Sequence, residues 1–127
     1  MKGSIVARAV CGACCVLVCG TPAGAHHSNA MYDAAKTITL RGVITRVGWT
    51  NPHVTFTVMT EGPNGQAGDL WVLESTSPGN LSRVGWTRTS VRTNDRVDVL
   101  VAPLRDGSHG GRCRMLTIVE TKKSLEC

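Results

Sequence analysis

Five runs of alternating residues, broken once by a stretch of helical spacing, constrain this chain more than any other feature. In the first, Thr37 to Val47, the residues Ile38, Leu40 and Ile44 alternate with polar neighbours. The second, His53 to Met59, sets Val54, Phe56 and Val58 on one face and Thr55 and Thr57 on the other. A third, Asp69 to Glu74, places Leu70 and Val72 opposite Trp71 and Leu73. Arg96 to Ala102 alternates Val97, Val99 and Val101 with Asp98 and Leu100, and Arg112 to Glu120 carries Cys113, Met115, Thr117 and Val119 on one side. A period of two marks a strand with one buried face. Gly42 interrupts the first run and is expected to shift its phase through a bulge or bend.

The break in period falls between the third and fourth runs. Ser75-Thr76-Ser77-Pro78-Gly79-Asn80 offers N-cap residues and a proline for the first helical position. Leu81 and Val84 are three apart, and Gly85 suits a helix stop. A short helix over Pro78 to Val84 is predicted. Three strands, a helix and two strands is the order of an OB-fold, whose closed barrel removes exposed sheet edges. The expected class is therefore all-β, a five-stranded OB-like barrel with a short helix between strands three and four. An immunoglobulin-like sandwich is the rival, but it needs about seven strands. The last seven residues read as a polar tail.

Ahead of the strands, Lys2 and Arg8 precede an uncharged, mostly apolar run from Ala9 to Gly20, and Thr21-Pro22-Ala23-Gly24-Ala25 follows. Basic start, short apolar stretch and an A-x-A site are the order of a secretory signal peptide. The run is shorter than the ~20 residues of a membrane-spanning helix. Retention as an anchor, and lipid attachment at Cys14, Cys15 or Cys19, are weaker alternatives; Val18 before Cys19 and Cys11 three before Cys14 fit a lipid site poorly. Residues 1–25 are read as signal peptide and 26–127 as the barrel domain. The expected location is periplasmic or secreted, with no stable membrane span after cleavage.

Cleavage changes the composition. The whole chain has fourteen basic and nine acidic residues and a net charge of +5. Only Lys2 and Arg8 leave with the leader, so the mature domain is mildly basic, too weakly so for a nucleic-acid partner. Four of six cysteines leave as well. Cys113 and Cys127 remain, an even pair in an oxidising compartment, where a disulfide and two free thiols are both open.

Several residues are candidates for binding. Trp49-Thr50-Asn51-Pro52-His53 joins the first two strands. His53 at the barrel rim can bind a ligand or metal, or bond a turn carbonyl while Trp49 caps the barrel. Around the helix, Glu74, Arg83 and Arg88, together with Trp71 and Trp86, can form an aromatic and charged pocket, or Trp86 can plug the barrel while Arg83 and Arg88 pair with Glu74 or solvent. The loop from Asp106 to Gly111 is a ligand-face loop in OB barrels or a plain connection. Cleavage after Ala25 leaves His26-His27-Ser28 at the N-terminus. An α-amine beside imidazoles suits Cu(II), and His53 or His109 can complete the set. No G-x-S-x-G, P-loop, H-E-x-x-H or zinc-finger spacing is present.

These residues also carry a resemblance. Ala25-His26-His27-Ser28, Gly42 to His53, Ser77-Pro78-Gly79-Asn80-Leu81, Gly85-Trp86-Thr87 and Asp106-Gly107-Ser108 together resemble a family of small exported bacterial proteins of unknown function. The likeness runs from Ala25 to about Met115. It implies a secreted or periplasmic OB-like barrel and supplies no catalytic residue. Asn29 departs from the bulky residue that follows His-His-Ser in the family, and the Cys113 and Cys127 pair is particular to this chain.

The function expected is a non-catalytic binding module or accessory protein of the cell envelope, with an envelope protein or small ligand as partner. The alternative is a periplasmic copper-binding protein using His26, His27 and His53 or His109. An enzyme using His53 and Glu74 as acid and base is a third, weaker expectation.

Overall fold

The computed structural model describes residues 29–127. Strands β1 (Ile38–Gly48), β2 (Thr55–Glu61) and β3 (Ala67–Glu74) precede helix α1 (Pro78–Arg83). Then come β4 (Arg96–Pro103), β5 (Gly110–Ile118) and β6 (Ser124–Glu126). The sheet runs β3-β2-β1-β4-β5-β6, and a parallel pairing of β3 with β5 closes five strands into a barrel. This is the expected all-β OB-like arrangement, with its helix between strands three and four. Ser77 caps α1 as predicted, accepting from the Asn80 N–H, with Pro78 in the first turn.

Alternation explains the interior. Val54, Phe56 and Val58 from β2 and its approach, Leu73 from β3, and Val97, Val99 and Val101 from β4 are buried. Leu81 brings α1 onto this core, and Trp86 stacks on Phe56 at 5.4 Å between ring centroids.

Two phase shifts differ from the sequence reading. Leu40, Gly42 and Ile44 all point inward, so Gly42 does not break the alternation of β1. The extra residue is Thr45, because Ile44 pairs with Val58 and Arg46 with Thr57. Gly42 instead sits where β1 pairs with both Thr60 of β2 and Val97 of β4, and a Cβ there would overlap the Met59 carbonyl oxygen. On β5, Cys113 faces the core as expected, but Leu116 and Ile118 replace Met115, Thr117 and Val119 as inward residues. Val101 pairs with Cys113 and Leu100 with Met115, leaving Arg114 as the bulged residue that flips the later part of the strand.

The polar tail is a correction too. Ser124–Glu126 forms β6 against β5, and Leu125 is buried. Cys127 is disulfide-bonded to Cys113. The Cys127 N–H donates to the carbonyl of bulged Arg114 at 3.0 Å, satisfying an oxygen that the ladder leaves unpaired. The Trp86 indole N–H donates to the Glu126 carbonyl at 2.6 Å, and the buried Ser75 hydroxyl to that of Cys127 at 2.9 Å. The tail thus completes the barrel floor.

Candidate functional site

Glu74 is the last residue of β3 and points away from the core, between inward Leu73 and Ser75. It pairs in register with Thr55 of β2 and, across the closing seam, with Arg112 of β5. His53 lies two residues before Thr55 and so shares its outer face. One carboxylate oxygen of Glu74 meets His53 Nδ1, and the other accepts from the Tyr32 hydroxyl at 3.0 Å. The result is a His53–Glu74–Tyr32 relay, with the imidazole about one-third exposed.

Tyr32 arrives from outside the barrel strands. The segment 29–36 crosses β4 and β5, with Tyr32 bridging Leu104 and the Asp33 N–H donating to the Pro103 carbonyl at 2.8 Å. Three arginines hold it. Arg105 donates to the Ala30 carbonyl and stands 3.8 Å from Asp33, Arg112 donates to Asn29 Oδ1 at 3.2 Å, and Arg114 donates to the Ala34 carbonyl. The phenol is pushed up to about 12 by burial first, then by the charge and hydrogen bond of Glu74, with Arg112 opposing them. It therefore stays a neutral donor and fixes the carboxylate.

In a neutral imidazole, a carboxylate on Nδ1 selects the tautomer whose Nε2 carries the lone pair. Among the described residues Nε2 has no hydrogen-bond partner, and no hydroxyl or thiol is paired with it as a nucleophile would be. The arrangement presents an oriented nitrogen base or metal ligand at the barrel rim.

The other sequence-predicted residues lie elsewhere. Trp86 is in the core, 2% exposed, and Trp49 packs partly buried against that core. Arg83 donates to Asn80 Oδ1 at 3.0 Å, and neither Arg83 nor Arg88 reaches Glu74. Trp71 stacks on His109 at 5.2 Å, and His109 Nε2 is 3.7 Å from Asp69. Glu74 and Asp69, the carboxylates that face the two histidines, are five residues apart on β3, about 16 Å along a strand. The structure therefore joins His53 to Glu74 and keeps His109 apart from both. His26 and His27 lie outside the described residues. Among the described residues no three His, Cys, Asp or Glu side chains group as metal ligands, and no helix is long and apolar enough to cross a membrane.

Comparison with protein families matches residues 13–113 to a family of unknown function, DUF6152. The chain belongs to this family. The match covers the relay residues Tyr32, His53 and Glu74 and ends at Cys113, so β6 and Cys127 fall beyond it. No curated protein and no solved structure matches. Sequence reasoning singled out His53 and Glu74 but missed Tyr32, Asn29, Arg112 and Arg114. Only the inward-outward order around Cys113 hinted that the two β5 arginines face outward.

Proposed function

We propose that this DUF6152 member is an exported binding module of the cell envelope, periplasmic or secreted, and that its site holds Cu(II). His53 Nε2 is the ligand from the barrel, and His26 and His27 supply the rest. The observation that carries the reading is the Glu74 carboxylate shared between His53 Nδ1 and the Tyr32 hydroxyl. Metal-ligating histidines are commonly backed in this way, because the carboxylate orients the ring and raises its basicity. Nitrogen donors suit copper.

Chain connectivity supports the same choice of histidine. Asn29 is held by Arg112, the register partner of Glu74. Cleavage after Ala25 would add the α-amine of His26 to the donors. Among the described residues His109, stacked on Trp71 beside Asp69, has no such neighbour.

The test is a calorimetric Cu(II) titration of the mature chain beginning at His26. The same chain with one extra N-terminal residue, His53→Ala and Glu74→Gln are titrated beside it. One-to-one binding is expected, weakened at least about tenfold by the extension and by His53→Ala, and about 10–100-fold by Glu74→Gln. Equal affinity in all four proteins would sink the copper reading and return the module to a search for an envelope partner. Export is checked by the N-terminal sequence and cell fraction of the natural product; an uncleaved cytoplasmic chain contradicts it.

A further inference from the structure

Between the crossing segment 29–36 and β5 lies an open cleft of about 390 Å³. Its walls include Asn29, Tyr32, Arg112 and Arg114, and its floor includes Ala102 and Cys113. Small-molecule sites commonly enclose about 300–1,000 Å³, with an apolar floor and a few placed polar groups. Among the described residues no carboxylate lines this one. Glu74, the nearby acid, is already engaged by His53 and Tyr32.

The two guanidinium groups are built into the cleft by the strand. Arg112 and Arg114 flank inward-facing Cys113, and the bulge at Arg114 is fixed by the Cys127 N–H on its carbonyl. A guanidinium carries five N–H donors. Arg112 directs one to Asn29 Oδ1 and Arg114 one to the Ala34 carbonyl. Among the described residues neither forms an ion pair, whereas Arg41, Arg96 and Arg105 pair with Asp98, Glu61 and Asp33. Residues two apart on a strand stand about 7 Å apart, less at a bulge. Two charged forks at that spacing match two carboxylates joined by a short carbon chain, each bound bidentately. A single carboxylate bound bidentately to one fork leaves the other open.

We propose that this cleft binds a small organic dicarboxylate of about four or five carbons, one carboxylate on Arg112 and the other on Arg114, with the methylenes over Ala102. The proposal goes beyond the copper reading and does not depend on it, since the β5 arginines and not His53 make the contacts.

Succinate is the probe, titrated calorimetrically into the full mature protein after chelator treatment, at constant ionic strength, with acetate and sulfate as comparators. Saturable binding with Kd below about 1 mM is expected, at least tenfold tighter than for acetate or sulfate. Arg112→Gln and Arg114→Gln should each weaken it at least about tenfold, and Arg83→Gln should leave it unchanged. Arg112→Lys keeps the charge and loses the fork, so it should also weaken binding; it replaces Arg112→Gln if that variant does not fold. The proposal is overturned by the absence of saturable heat at about 10 mM succinate. Equal binding of acetate or sulfate, or affinity indifferent to both arginine substitutions, overturns it too. Chelator treatment separates this outcome from the copper test, because succinate would otherwise bind through the metal.

Discussion

Tyr32 is the chain's single tyrosine, so the absorbance of phenolate reports on the relay alone. The folded protein should ionise Tyr32 at a pKa of about 12, against an ordinary value of 10.0. Burial contributes most, followed by the charge of Glu74 and then its hydrogen bond, while Arg112 pulls the other way. Glu74→Gln removes the charge and leaves burial, while its amide oxygen still accepts from the phenol. The pKa should fall but remain above 10.0. Arg112→Gln removes the opposing cause, so it should rise. Below pH 10 both folded and unfolded chains hold the proton and the stabilisation is complete. As pH rises toward 12 the unfolded chain releases the proton first, and the contribution is lost. Each pKa unit corresponds to about 1.4 kcal/mol, so the ceiling is roughly 2.7 kcal/mol, lessened by solvent screening from the open cleft. Spectrophotometric titration, with circular dichroism at each pH to confirm that the protein is folded, measures both shifts. Ionisation near pH 10 in folded wild type, or no change in Glu74→Gln, would refute the relay.

Two further substitutions test the barrel. Cys127→Ser opens a disulfide whose cysteines are 14 residues apart, which should cost about 3 kcal/mol through loop closure alone. The melting temperature should drop by roughly 12–24 °C, read from tryptophan fluorescence; a loss under about 1 kcal/mol would mean that β6 holds without its covalent tie. Gly42→Ala forces a Cβ into the Met59 carbonyl between two paired strands. It should cost about 3 kcal/mol by urea denaturation, and a neutral result would show that β1 can shift away from β2.

The fold was legible where one strand face is buried and the other is not. Val54, Phe56 and Val58 announce β2 because water on the Thr55 and Thr57 side forbids any other order. The bulges at Thr45 and Arg114 left no such trace. Both are decided by which partner residue each strand meets, and that register belongs to the pair and not to either sequence. Gly42 misled because a glycine in a strand signals either a bulge or a close approach, and here the neighbouring backbone explains it. In Ser124-Leu125-Glu126 a single buried leucine is too short a pattern to mark a strand. The disulfide and the carbonyls that receive Trp86 and Ser75 hold it in place.

The site was half legible for a related reason. His53 and Glu74 were visible as chemistry, but their meeting depends on the pairing of Thr55 with Glu74, and Tyr32 reaches them only by crossing β4 and β5. The relay and the arginine cleft both border the β3–β5 seam. That seam has three register pairs, fewer than the six or more that join β1 to β2, β1 to β4 or β4 to β5. A ligand bridging the segment 29–36 to β5, or an ion held by His53, would therefore tie the shortest ladder in the barrel ring. Because whatever binds only the closed form stabilises it by mass action, occupancy should protect the β3–β5 amides from hydrogen exchange more than those of β1 and β2. Protection spread evenly over the barrel would mean instead that the seam opens only when the whole domain unfolds.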